Sequence, residues 1–293
     1  MQDEIVSLLA NRLGHELQLA EARRAERSAN PDSMERYFLG LAVYYKGSTA
    51  EFLDKARSHF DRAVDIDPDN VEALVQRALV DIGFVGAFLS DDSPERLRSA
   101  AADLSKALRL RPDSASAHWA LGVVRMLSNR AAQGIAECER ALAIDRNLAA
   151  AHAWIGYAKL VLGRNDETEG HVLEALRISP RDARAFSWMH FVGAAKLYSG
   201  CDEEAVAWLN RSIERNPNAP HSHLFLAAAL AHLGRHEEAS EQARAGLELN
   251  QSFTIARFRS RIFTDNPVYL AGRERVYEGM RKAGLPEGEA KSN

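Results

Sequence analysis

Two cysteines in 293 residues are too few for a disulfide framework, and Cys138 and Cys201 lack the paired spacing of a zinc site. A reducing compartment, and hence a cytoplasmic location, is the simplest expectation. No stretch approaches the roughly 18 apolar residues that a membrane span needs, and Asp3 and Glu4 stand where a signal peptide would be basic. No membrane partner is expected. Charge of one sign is missing as well: 37 Lys+Arg against 41 Asp+Glu leave a net charge of −4. Nothing therefore draws the chain toward nucleic acid, and no nucleic-acid partner is expected. The chain also has no G-x-S-x-G, no Gly-rich phosphate loop and no HExxH. No catalytic, cofactor-binding or metal-binding residue is assigned, and the chain reads as a non-enzyme.

What the sequence does have is a period. HWALGVVRMLSNRAAQGIAECERALAIDR at 118–146 aligns on HAWIGYAKLVLGRNDETEGHVLEALRISP at 152–180, so Gly122 and Gly156, Ala141 and Ala175, and Ile144 and Ile178 lie 34 apart. Ala205 and Ala239 continue the interval. A small residue at the L-G step (Leu39-Gly40, Leu121-Gly122, Ile155-Gly156) lets two antiparallel helices approach closely. An alanine followed four residues later by a large apolar residue (Ala56 and Phe60, Ala100 and Leu104, Ala205 and Leu209) puts both on one helix face. Pro68, Pro112, Pro180 and Pro217 end the second helices.

A 34-residue helical period with these markers resembles the tetratricopeptide repeat. The resemblance implies an all-α right-handed superhelix of about six helix-turn-helix repeats, over 34–68, 71–112, 115–146, 149–180, 183–217 and 220–251. The first repeat carries about four extra residues near Gly47–Phe52 and the fifth about three near Cys201. The second carries about ten, read as a protruding loop around Asp91-Asp92 with a helix start at Ser93 or Pro94. Residues 1–30 form the N-terminal segment, 31–251 the repeats, 252–286 C-terminal capping helices and 287–293 a disordered tail. The N-terminal segment is read as an amphipathic helix with Ile5, Leu8, Leu9, Leu13, Leu17 and Ala20 on its apolar face.

The histidines have a structural explanation at hand. His118, His152 and His223 recur in phase with the repeat, three residues before the L-G step or its equivalent, so the repeat itself accounts for them. His232 and His236 are separated by Gly234 across a turn, and His221 with His223 has no carboxylate shell. Cys138 falls in a buried slot and Cys201 in a turn. Arg257, Arg259 and Arg261, and the acids Asp202, Glu203 and Glu204, read as solvated faces and helix-start charges.

In stacked helix pairs the first helices line a concave groove. The inward positions are Tyr37, Leu41, Tyr44 and Tyr45 in the first repeat, Val75 and Leu79 in the second, and Trp119, Val123 and Met126 in the third. Tyr157 and Leu160 follow in the fourth, Phe191 in the fifth and Leu224 in the sixth. Some arrays of the family clamp a terminal carboxylate with Lys and Asn at these places, and that set is missing here. So apolar a groove exceeds what a monomer usually leaves bare. A protein or peptide partner, the chain's own N-terminal helix or a second copy of the chain is expected to fill it.

The order QDEIV, then YFLGLAVYYK, then the repeats, then NPVYLAGRERVYEGMRKAGLPEG resembles the C-terminal half of proteobacterial signalling proteins. In those, such an array follows a class III adenylate/guanylate cyclase domain or a winged helix of the CadC type. This chain has neither, since it carries no strand-patterned, aspartate-bearing segment. The resemblance implies a regulatory, partner-binding module. The alternative is a homo-oligomerising scaffold with no separate peptide ligand.

Overall fold

The structure, a computed structural model, describes residues 16–28, 30–90, 92–262 and 264–288. Among these residues the chain is helical throughout and contains no strand. Six antiparallel helix pairs succeed one another: α2 (Ser33–Tyr44) with α3 (Ala50–Ile66), α4 (Val71–Gly86) with α5 (Ser93–Leu110), and α6 (Ala115–Met126) with α7 (Ala131–Ile144). Next come α8 (Ala149–Val161) with α9 (Asn165–Ile178), α10 (Ala185–Tyr198) with α11 (Asp202–Arg215), and α12 (Pro220–His232) with α13 (His236–Leu249). Helix α1 (16–25) precedes them, and α14 (Ile255–Arg259) and α15 (Pro267–Lys282) follow.

The pairs are held by small side chains at their crossing. A Cβ on Gly122 would meet the Gly134 carbonyl oxygen at 2.7 Å and Cys138 Sγ at 3.0 Å. Alanine does the same duty in the second and sixth pairs, where Ala78 and Ala227 are fully buried. The in-phase histidines close the helix ends. His118 Nε2 lies 3.0 Å from the Pro112 carbonyl, and His223 Nε2 lies 3.1 Å from that of Pro217, each six residues back. His152 bonds the backbone of Arg146 in the same way. Helix starts are set by side-chain caps, as where Asp32 and Glu35 form a reciprocal capping box.

The second repeat's insertion is drawn inward at Ala87, Phe88 and Ser90, while Asp92 is exposed and Asp91 lies outside the described residues. Most of the second repeat's extra length extends α4 and α5, and the chain between them turns inward at Phe88, which has φ +59° and is buried against the Phe258 ring at 4.7 Å. The turn after α2 also reaches across the molecule. The Lys46 carbonyl accepts from Asn216 Nδ2 (3.3 Å) and Asn218 Nδ2 (3.2 Å), and Ser48 N donates to the Asn218 carbonyl at 3.1 Å. Gly47 is needed there, because its Cβ would stand 2.6 Å from that of Asn218. The first repeat thus meets the loop entering the sixth, and the superhelix closes on itself.

Both termini depart from expectation. Leu17 is 61% exposed and Ala20 is exposed, whereas Ala22 and Ala25 are the residues α1 buries; Ile5, Leu8, Leu9 and Leu13 lie outside the described residues. At the other end, the first residue of the expected tail is paired along α14, with Ile255 N donating to Pro286 O (2.9 Å) and Ala256 N to Glu287 O (2.8 Å), while 289–293 lie outside the described residues. Paired backbone groups hold this stretch where a burial argument expected nothing. Arg261 is no solvated charge: it is buried beside Ser93.

Replacing Gly122 by Leu forces the α6–α7 backbones apart and should cost about 2 kcal/mol. Chemical denaturation checks this, and Gly170→Ala is the control, because a Cβ there meets nothing within 4 Å.

Candidate functional site

Helices α10 (AFSWMHFVGAAKLY) and α12 (PHSHLFLAAALAH) are buried over almost their whole circumference. A helix apolar all round needs cover on every side, and α15 supplies it. This helix lies on the inner face of the ring, packed chiefly on α12 and also on α10. Gly272 and Gly279 permit the approach, since a Cβ at either would stand 2.5 Å from the Tyr198 ring or 2.7 Å from the Ala228 carbonyl oxygen. The Arg275 carbonyl accepts from His232 Nε2 (2.9 Å), and the Arg275 guanidinium pairs with Asp202 (2.6 Å). Asn266 caps α15 and donates to the Leu162 carbonyl at 3.0 Å, tying the helix to the end of α8.

Helix α15 fills only part of the ring. Between it and the first helices of the earlier repeats remains a chamber of about 280 Å³. One wall is a triad of edge-on rings, with Trp154 and Tyr157 of α8 5.1 Å apart and Phe191 of α10 5.0 and 4.9 Å from them. Opposite stand Arg273 and Tyr269 of α15 with Phe258 of α14. Arg273 is only 2% exposed and bonds the Tyr277 and Tyr269 hydroxyls and the Phe258 carbonyl, with its guanidinium 3.6 Å from the Phe258 ring centre.

His190 and His221 meet edge to face at 4.4 Å in the same chamber. Burial, reinforced by the neighbouring His221, holds the His190 pKa well below the ordinary value. Burial, followed by Arg184 and His223, lowers His221 to about 3. Both rings are neutral near pH 7. The surface that His221 exposes is chamber wall, so partial exposure and deep placement coexist there. Burial also raises the pKa values of Tyr157 and Tyr198, so both remain phenols.

Of the groove positions expected from sequence, Tyr44, Tyr45, Leu79, Trp119, Tyr157, Leu160 and Phe191 line this chamber. Tyr37, Leu41, Val75, Val123, Met126 and Leu224 do not; they are packed inside the helix pairs, at 0–8% exposure. A helix with both a partner and a next neighbour buries more than one stripe, and a one-residue rotation exchanges groove for core. Arg184, His190, His221 and Arg273 were missed. The terminal segment read as a cap in fact enters the ring, and the all-round apolar sequence of α10 and α12 is the signal that they require a cover.

Residues 95–149 and 197–252 match the tetratricopeptide repeat family. The fold is a tetratricopeptide-repeat solenoid. It is similar to a thermophilic repeat protein of Thermus thermophilus, at 18% identity over 68% of this chain and 98% of that one, with a TM-score of 0.54. Human IFIT1, solved as a dimer with m7Gppp-AAAA, matches at 18% identity over 84% of this chain and 59% of its own, with a TM-score of 0.63. Pseudomonas aeruginosa pilF matches at 21% identity over 73% and 95%, with a TM-score of 0.50. No curated protein sequence matches this chain. Tetratricopeptide-repeat proteins are protein-interaction modules. No helix among the described residues is long and apolar enough to cross a membrane.

The depressed histidines give this solenoid an acid-sensitive interior. Below about pH 6.5 the unfolded chain takes up protons that the folded chain excludes, so stability falls as pH drops toward 3. Thermal melts from pH 7 to 4.5 should show the wild type losing stability faster than His221→Phe.

Proposed function

We propose that this chain is the sensing portion of a bacterial signalling protein of the cyclase-linked or CadC-linked kind, and that recognition takes place on the inner face of the ring. The single observation that carries this reading is the placement of α1 at the chamber's edge, where the Tyr45 hydroxyl donates to Gln18 Oε1 at 3.4 Å. Tyr45 is at once a chamber wall and the seat of the N-terminal helix. A partner protein or peptide engages the rim formed by the α2–α3 turn and the chain just before α10 and α12. Tyr44, Tyr45, Trp119 and Tyr157 supply its apolar contacts from within. A shift of the Tyr45 ring then changes how firmly α1 is seated, and whatever domain is joined ahead of α1 registers the change. The segments QDEIV and YFLGLAVYYK and the terminal NPVYLAGRERVYEGMRKAGLPEG support the signalling context through the resemblance they carry.

The relay is tested without a known partner. Trp154→Ala opens the chamber wall on α8, and hydrogen exchange followed by mass spectrometry should show faster exchange at residues 16–25 as well as around α8. Exchange that changes around α8 alone would sink the relay. A dimer whose population rises with concentration in light scattering would favour the homo-oligomeric scaffold instead.

A further inference from the structure

The chamber wall holds polar atoms that the protein itself leaves unpaired. Trp119 Nε1, Arg184 Nη1, Gln76 Oε1, His190 Nδ1 and His221 Nδ1 are each buried without a hydrogen-bond partner among the described residues, and all five residues line this one space. Leaving a buried donor or acceptor unmatched is destabilising, and a guest that pairs with it relieves that loss. Two of the five, the indole N–H and the guanidinium nitrogen, can only donate. His190 is 9% exposed and Arg273 2%, so this is an interior site and not a surface patch.

The charges on the wall do not cancel. Among the described residues that line it, Arg184 and Arg273 are accompanied by one acid, Asp182, and both histidines are neutral, which leaves one positive charge in excess there. Arg273 itself is held by two phenols and a carbonyl, with no carboxylate beside it among the described residues. Arg273 therefore adds charge from behind the wall, while Arg184 keeps a guanidinium nitrogen without a partner, and a guanidinium pairs well with the oxygens of a carboxylate. The edge-on rings of Trp154, Tyr157 and Phe191 offer a flat apolar slot beside these donors. About 280 Å³ lies at the small end of ligand pockets and, with α15 filling the rest of the ring, leaves no room for a helix.

We propose that the chamber is a binding site for a small monocarboxylate with a flat apolar body, its carboxylate received by Arg184 and the Trp119 N–H, with the charge of Arg273 behind them, and its body by the Trp154–Tyr157–Phe191 wall. This goes beyond the rim recognition proposed above and stands without it. One negative charge matches the excess. A phosphate dianion would overshoot it, and a neutral amide would leave it uncompensated.

The test uses the full chain at pH 7 with phenylacetate and indole-3-acetate as probes, read by calorimetry and by the shift in melting temperature. Phenylacetamide, phenyl phosphate and an acetylated tripeptide ending in Phe are the comparisons. The carboxylates should bind at least about tenfold more tightly than all three. Trp119→Phe removes one donor while keeping a ring, and Arg184→Gln removes one charge. Each should weaken the carboxylates several-fold and leave the amide unchanged, and neither depends on the deeply buried Arg273 being replaceable. The proposal is overturned if the carboxylates give no heat and no melting shift at about 1 mM. Equal binding of the amide, tighter binding of the phosphate or the tripeptide, or variants that bind the carboxylates as the wild type does would overturn it too. Carboxylate binding with unaltered exchange at residues 16–25 keeps this site and removes only the relay through α1.

Discussion

Close approach of helix backbones, at positions where a side chain would intervene, is the constraint on which the molecule rests. Within a repeat it occurs at the L-G step, where the backbone of α6 comes near enough to α7 that a Cβ on Gly122 would press on a carbonyl oxygen. Between the repeats and the C-terminal helix it recurs at Gly272 and Gly279. The first kind builds the solenoid and the second seats α15 inside it. Packing at this range excludes water along the contact and makes the positions intolerant of bulk.

The chamber is what this packing leaves over. Helix α15 rests on α10 and α12, where alanines and its own glycines let it sink, and stands off from the aromatic first helices of the earlier repeats. The space between is walled by large rings that cannot collapse into it, because each is already wedged against another: Trp154, Tyr157 and Phe191 on one side, Phe258 against Phe225 and Tyr269 against Tyr198 on the other. Polar side chains on such a wall find few neighbours to satisfy them, and five residues that line it keep a buried polar atom unpaired among the described residues. The same enclosure keeps the two histidines uncharged.

Charge plays a second role in the outer layer that the period does not announce. Asp81, 1% exposed, is gripped by Arg57 of α3 and by Arg96 of α5 at 2.9 Å. Arg77 of α4 makes a two-pronged contact with Asp103 of α5. These pairs stitch three successive helices where the second repeat is longest. They are half-hidden, so removing one partner leaves a charge without its mate, a heavier loss than the pair's own net worth.

How much of this was legible follows from what a repeat records. The helix-pair order, the small residue at each crossing, the in-phase histidines and the prolines that end second helices all express contacts between neighbours in the chain, and each neighbour contact recurs every 34 residues. The amino-acid sequence alone therefore determined the solenoid. Which apolar residues face inward was only half legible, as Tyr157 and Phe191 against Val123 and Leu224 show, because one helix turned by a single residue trades groove for core. The closure of Lys46 on Asn216 and Asn218, the entry of α15 into the ring and the gathering of Arg273 with His190 and Trp119 belong to the tertiary structure alone. Those contacts join residues tens to well over a hundred positions apart and happen once each, so they leave no period to read.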